Sequence, residues 1–106
     1  MLMNPMEELY ERMFEEIGDA KHYIEKACAC KADYPETAKL FAQISGEEMK
    51  HATMIEAEIK RLIASEQAKH PEEMTPALRG AYNIMHSLFS GMVVKVKGYN
   101  DRFKEV

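Results

Sequence analysis

The chain has 106 residues, enough for one domain with a modest core and too few for two. Hydrophobic residues make up 46% and charged residues 30%, which excludes a disordered chain, and no apolar run reaches the ~18–20 residues of a membrane span. A net charge of −4 without any basic stripe argues against a nucleic-acid partner.

Three helices and no strands can be read along the chain. The first, from residue 5 to about 29, opens at Asn4-Pro5-Met6-Glu7, with Asn4 as cap and Pro5 at the first helical position. Its stripe is Leu9, Met13, Glu16, Ala20, Tyr23 and Ala27, at alternating spacings of four and three. Lys31 to Pro35 break this helix, and Pro35 with Glu36 starts the second, which runs to about residue 69 and ends at His70-Pro71. Its stripe is Phe41, Ile44, Glu48, His51, Ile55, Glu58 and Leu62. Thr75-Pro76 caps a third helix, about 76–103, whose stripe from Leu78 through Tyr82, Met85, Phe89, Met92, Val96 and Tyr99 to Phe103 is apolar throughout. Cys28 and Cys30 are two apart, about 200° around a helix, so they are poor disulfide partners and suit a reducing compartment. With no secretory signal pattern, the expected location is cytoplasmic.

Ionisable residues are out of place in two of these stripes. Burying a carboxylate alone costs several kcal/mol or forces a large pKa shift. A short loop makes the first two helices antiparallel, and Glu16 and Glu48 stand equally far from its centre near Ala32. The two carboxylates are therefore expected at one level, with His51 one turn from Glu48 on the same face. Glu-x-x-His facing a Glu is half of a carboxylate-bridged dimetal site. The oxygen and nitrogen donors suit iron or manganese, and the histidine also admits zinc. A small rotation of the helices would bring Glu15 or Glu47 in instead. Around the three expected ligands Glu16, Glu48 and His51, the hydroxyl of Tyr23 is a candidate hydrogen-bond partner. Asp19 is a candidate supporting acid or added ligand, and Glu15 a candidate outer ligand. Glu58 and His86 are expected at the surface.

The segments Glu16 to Tyr23 and Leu40 to Ala52 resemble the first helix pair of the ferritin-like superfamily. The likeness is nearest to rubrerythrin-type domains and to the short ferritin-like proteins of encapsulins and phage genomes, and covers roughly residues 6 to 66. The Tyr seven residues after the first-helix Glu is matched by Tyr23, and the Glu-x-x-His by Glu48 and His51. The resemblance implies a di-iron site, ferroxidase or peroxide-linked iron oxidation, and oligomerisation, with an encapsulating shell or phage partner in prospect.

A full ferritin-like subunit repeats its ligands on a second helix pair, whereas the third helix here has no glutamate between Thr75 and Lys104. One chain thus supplies half a site. The expected architecture is all-α: a ferritin-like antiparallel hairpin plus a third helix, with the four-helix-bundle core completed by homodimerisation. Two iron ions would lie at each dimer site, and the assembly would be a homodimer or a larger homo-oligomer. The alternative expectation is a non-catalytic helical structural or interaction module, favoured by the apolar third helix.

Overall fold

The computed structural model describes the backbone of residues 3–105 and the side chains of residues 5–105. It is all-α: helix α1 spans Met3–Cys30, α2 Pro35–Lys69 and α3 Pro76–Lys104, with a 3-10 turn at Pro71–Glu73 and no strand among the described residues. None of these helices is long and apolar enough to cross a membrane.

The prolines set the breaks. Tyr34 and His70 each precede a proline and take extended φ values of −135° and −136°, because the following ring excludes the helical region. Pro35 and Pro76 stand in the first turn of α2 and α3, where no amide hydrogen is needed. Thr75 caps α3, its hydroxyl accepting from the Leu78 amide at 3.2 Å. At the N-terminus the expectation fails. Helix α1 already includes Asn4, so Asn4 is not its cap, and Pro5 is tolerated because first-turn amides have no partner within the helix. The Asn4 side chain lies outside the described residues.

The buried stripe of α1 is Met6, Tyr10, Met13, Ile17, Ala20, Ile24 and Ala27. That of α2 is Ala38, Ser45, Ala52 and Ile59, one residue every seven. Met13, Ala20 and Ala27 are buried as expected, while the other positions of the two expected stripes are not. Leu9, Glu16 and Tyr23 flank the α1 core as half-buried residues, and Phe41, Ile44, Glu48, Ile55 and Leu62 do the same on α2, where His51 is exposed. The reason is size. Small residues at the centre of the interface let the two backbones approach, and the Ser45 hydroxyl donates to the Ala20 carbonyl at 2.6 Å. Larger side chains are displaced to the rim of so close a contact. The antiparallel register survives the shift, since Tyr23 lies against Phe41 with ring centroids 6.0 Å apart.

Helix α3 follows the expected stripe, burying Tyr82, Phe89 and Val96. It runs parallel to α1, with Tyr10 stacked on Tyr82 at 6.0 Å and Phe14 edge-on to Phe89 at 6.5 Å. Near the far end the Cys28 thiol donates to the Tyr99 carbonyl, and the Lys31 ammonium to the carbonyls of Phe103 and Glu105. Lys31 also lies 5.1 Å from the Phe103 ring centroid. Cys28 and Cys30 are free thiols. Because Phe14 faces α3, Glu16, about 200° further round α1, lies on the other side of the hairpin. The molecule is a rod of 57 × 18 × 15 Å with α3 on one side of the hairpin and the Glu16 flank open on the other.

Overfilling the small-residue line tests this packing. Ala52→Leu is expected to cost about 1–3 kcal/mol, seen as a lower urea midpoint in circular dichroism. An unchanged midpoint would contradict the close helix contact.

Candidate metal centre

The α1–α2 register brings Glu16, Glu48 and His51 together: each offers a ligand atom, and these atoms all lie within 4.8 Å of one another. His51 Nδ1 is 3.5 Å from Glu16 Oε2, too long for a good hydrogen bond. Glu16 Oε2 is buried and has no hydrogen-bond partner among the described residues. A buried polar atom left unpaired costs about 1–3 kcal/mol, and more when charged. The His51 side chain is 56% exposed against 17% for Glu16. The cluster thus has a carboxylate with one buried oxygen at its base and an exposed imidazole at its mouth.

The mouth opens into a cavity of about 680 Å³ lined by Leu9, Arg12, Ile55, Glu58 and Leu62 along with Glu16 and His51. Glu58, expected at the surface, is half-exposed on this wall. Arg61 grips its carboxylate through two hydrogen bonds of 2.7 and 2.8 Å, which hold that carboxyl below the usual carboxylate range. The grip leaves Glu58 little freedom to join the cluster.

The supporting residues fare unequally. Tyr23 is half-buried on the flank of Glu16, between the rings of His22 and Phe41. Asp19 is exposed and makes no side-chain hydrogen bond among the described residues. Glu15 is exposed, pairs with Arg12 at 3.3 Å, and lines the groove between α1 and α3. It is not brought to the cluster, and neither is exposed Glu47. His70, Glu72 and Glu73 also come within 4.8 Å of one another, but all three are exposed, and no buried donor stands among them.

A second polar group was not foreseen from the sequence. Tyr10, Tyr82, His86 and Glu56 meet where α1, α3 and α2 converge. Tyr10 and Tyr82 are only 7% and 8% exposed. Both hydroxyls, and His86 Nδ1, have no hydrogen-bond partner among the described residues. His86 Nδ1 lies 3.5 Å from Glu56 Oε2, and the imidazole meets the Tyr10 ring edge-on. Burial, and then the neighbouring Tyr82 and Glu56, push the Tyr10 phenol up to about 12, and burial also raises Tyr82. Of the four, only Tyr82 stood on a stripe read from the sequence, where it reads as ordinary core. No protein-family model, curated protein or solved structure matches the chain.

The raised phenol carries a pH dependence. Below pH 10 both folded and unfolded chains keep the Tyr10 proton. Between pH 10 and about 12 the unfolded chain loses it and the folded one keeps it, so stability falls as pH rises. Thermal melts at pH 9 and pH 11 should show a larger drop for wild type than for Tyr10→Phe. Equal drops would contradict the buried, neutral phenol.

Proposed function

We propose that this is a small metal-binding protein of ferritin-like type, whose di-iron carboxylate site is shared between two copies of the chain. The observation that carries the reading is the buried, unpartnered Glu16 Oε2 converging with Glu48 and His51. A cation fits there: it would neutralise the two carboxylates and take up the orphaned oxygen, and the mixed oxygen and nitrogen donors suit iron, with manganese and zinc as competitors.

Three ligands from one chain are too few for two ions, which favours a second chain. The open flank supports this. Beside the cluster it offers Leu9, Phe41, Ile44, Ile55 and Leu62, all half-exposed, as an apolar surface around a polar centre. A two-fold axis through the cluster would double the donor set, with each Glu48 available to bridge and a Glu16 and a His51 for each ion. The two hairpins together would make a four-helix core.

Bound iron would supply one-electron redox chemistry toward dioxygen or peroxide, the basis for a ferroxidase. The chain's own contribution is positional. Glu16 presents one buried carboxylate oxygen, and the exposed His51 at the rim is the donor best able to move between solvent and site. Tyr23 closes the flank on the loop side. The partner hairpin would exclude bulk water by covering the cavity.

A specific observation favours the second reading, a non-catalytic interaction module. Ile84, Leu88 and Val94 of α3 are 63%, 58% and 68% exposed, a large apolar display on the side away from the cluster. Metal content separates the two readings. Purified chain equilibrated anaerobically with Fe(II) should hold about one ion per chain and run as a dimer or larger species. Glu48→Ala and His51→Ala should each lose most of that iron while keeping their helical circular dichroism. Unchanged iron in both variants, or a wild type that stays monomeric with Fe(II) bound, would overturn the shared site.

A further inference from the structure

We propose that the face between α1 and α3, on the side away from α2, docks a second copy of this chain with its helices running antiparallel. The face has two ends of opposite charge. At one end a groove of about 780 Å³ has an apolar floor of Met6, Phe14, Leu78 and Met85 and a lip of Glu7, Glu11 and Glu15. At the other end Lys21, Lys95, Tyr99 and Arg102 line a smaller hollow of about 390 Å³. No residue of α2 lines either.

Two of these charges are neutralised within the chain. Arg12 holds Glu15 at 3.3 Å, and Glu25 holds Lys21. Glu7 and Glu11 remain at one end, and Lys95 and Arg102 at the other, all four exposed and none in an ion pair among the described residues. Arg102 lies over the Tyr99 ring, 5.1 Å from its centroid, which holds the guanidinium at this face.

The register of α1 against α3 fixes how two copies fit. Tyr10 beside Tyr82 and Lys31 beside Phe103 put each α1 residue level with the α3 residue 72 positions further on. Lys95 is then level with Tyr23 and Arg102 with Cys30, and the point midway between the two charged ends falls at Gly18. A two-fold axis there, across the helices, sets Glu11 level with the partner's Lys95 and Glu7 level with the partner's Arg102, and symmetry repeats both pairs. A two-fold axis along the helices would instead set acid on acid and base on base. The middle of the face is apolar and open. Leu88 is 58% exposed, and the same axis brings it level with the partner's Met92. Gly18 stands in mid-helix, where glycine weakens a helix, and a Cβ there would meet nothing within 4 Å. Its own chain makes no use of that gap, and a second backbone crossing there does. This face is not the Glu16 flank, which lies about 200° round α1 from Phe14, so the pairing does not depend on metal.

The test uses metal-free full-length protein with chelator present, followed by sedimentation over a concentration series at low salt. Wild type should form a dimer that weakens as salt rises. Glu7→Lys/Glu11→Lys and Lys95→Glu/Arg102→Glu should keep their helical circular dichroism and each weaken self-association by more than roughly tenfold. Mixed in equal amounts, they should form a mixed dimer as tight as wild type, because each supplies the charges the other now lacks. Gly18→Gln should raise the melting temperature of the dilute monomer yet weaken the dimer. Glu48→Ala/His51→Ala should dimerise as wild type does, so failure of the shared metal site would leave this result intact. A wild type that stays monomeric without metal would overturn the proposal. So would charge-reversed variants that dimerise unaided, or a mixture of the two that remains monomeric.

Discussion

The close contact between α1 and α2 is the constraint on which the rest of the structure depends. Ala20 and Ala27 on one helix meet Ala38, Ser45 and Ala52 on the other, all fully buried, and the Ser45 hydroxyl fastens to the Ala20 carbonyl. Small residues allow the approach, and the approach fixes the register. That register sets Glu16 against Glu48 and His51. Leu9, Phe41, Ile55 and Leu62 are left half-buried on the open flank that carries the polar cluster. An apolar surface around unsatisfied ligands is a consequence of the packing as much as of the ligands.

Buried polar atoms without partners gather at two places, and nearly all lie on the surfaces where helices meet. Glu16 Oε2 is one; the hydroxyls of Tyr10 and Tyr82 and the Nδ1 of His86 make the other. At about 1–3 kcal/mol each, such atoms weigh heavily against the ~5–15 kcal/mol by which domains of this size are stable. The two groups differ in kind. The first has two carboxylates and an exposed imidazole beside a solvent-facing cavity. The second is phenol-rich and draws its residues from all three helices.

Much of the architecture was legible in the sequence because prolines and caps mark helix ends through local sterics. Pro35, Pro71 and Thr75-Pro76 act within a residue or two of themselves, so the bounds of α2 and α3 follow directly. On α1 the expected Met13, Ala20 and Ala27 are buried, but Tyr10, Ile17 and Ile24 take the places expected of Leu9, Glu16 and Tyr23, and on α2 Ser45, Ala52 and Ile59 take those of Ile44, His51 and Glu58. Ser45 and Ala52 control the interface by what they lack. The register reasoning tolerated this error, since both stripes were displaced toward the same flank and Glu16 still faces Glu48. The Tyr10–Tyr82–His86–Glu56 group was not legible. It joins three helices whose mutual rotation no local rule fixes, and Glu56 read as the outer partner of Lys60, a pairing it does keep at 3.7 Å.

The central claim is that the Glu16 cluster is half of a metal site completed by a second copy of the chain. Anomalous diffraction at the iron absorption edge, from crystals grown anaerobically with Fe(II), addresses it most directly. A pair of iron peaks related by a two-fold axis is expected, held by Glu16, Glu48 and His51 of both chains, with Leu9, Phe41 and Ile55 buried around them. Iron bound to these three residues in an unpaired chain, or no iron at them in a paired one, would contradict it.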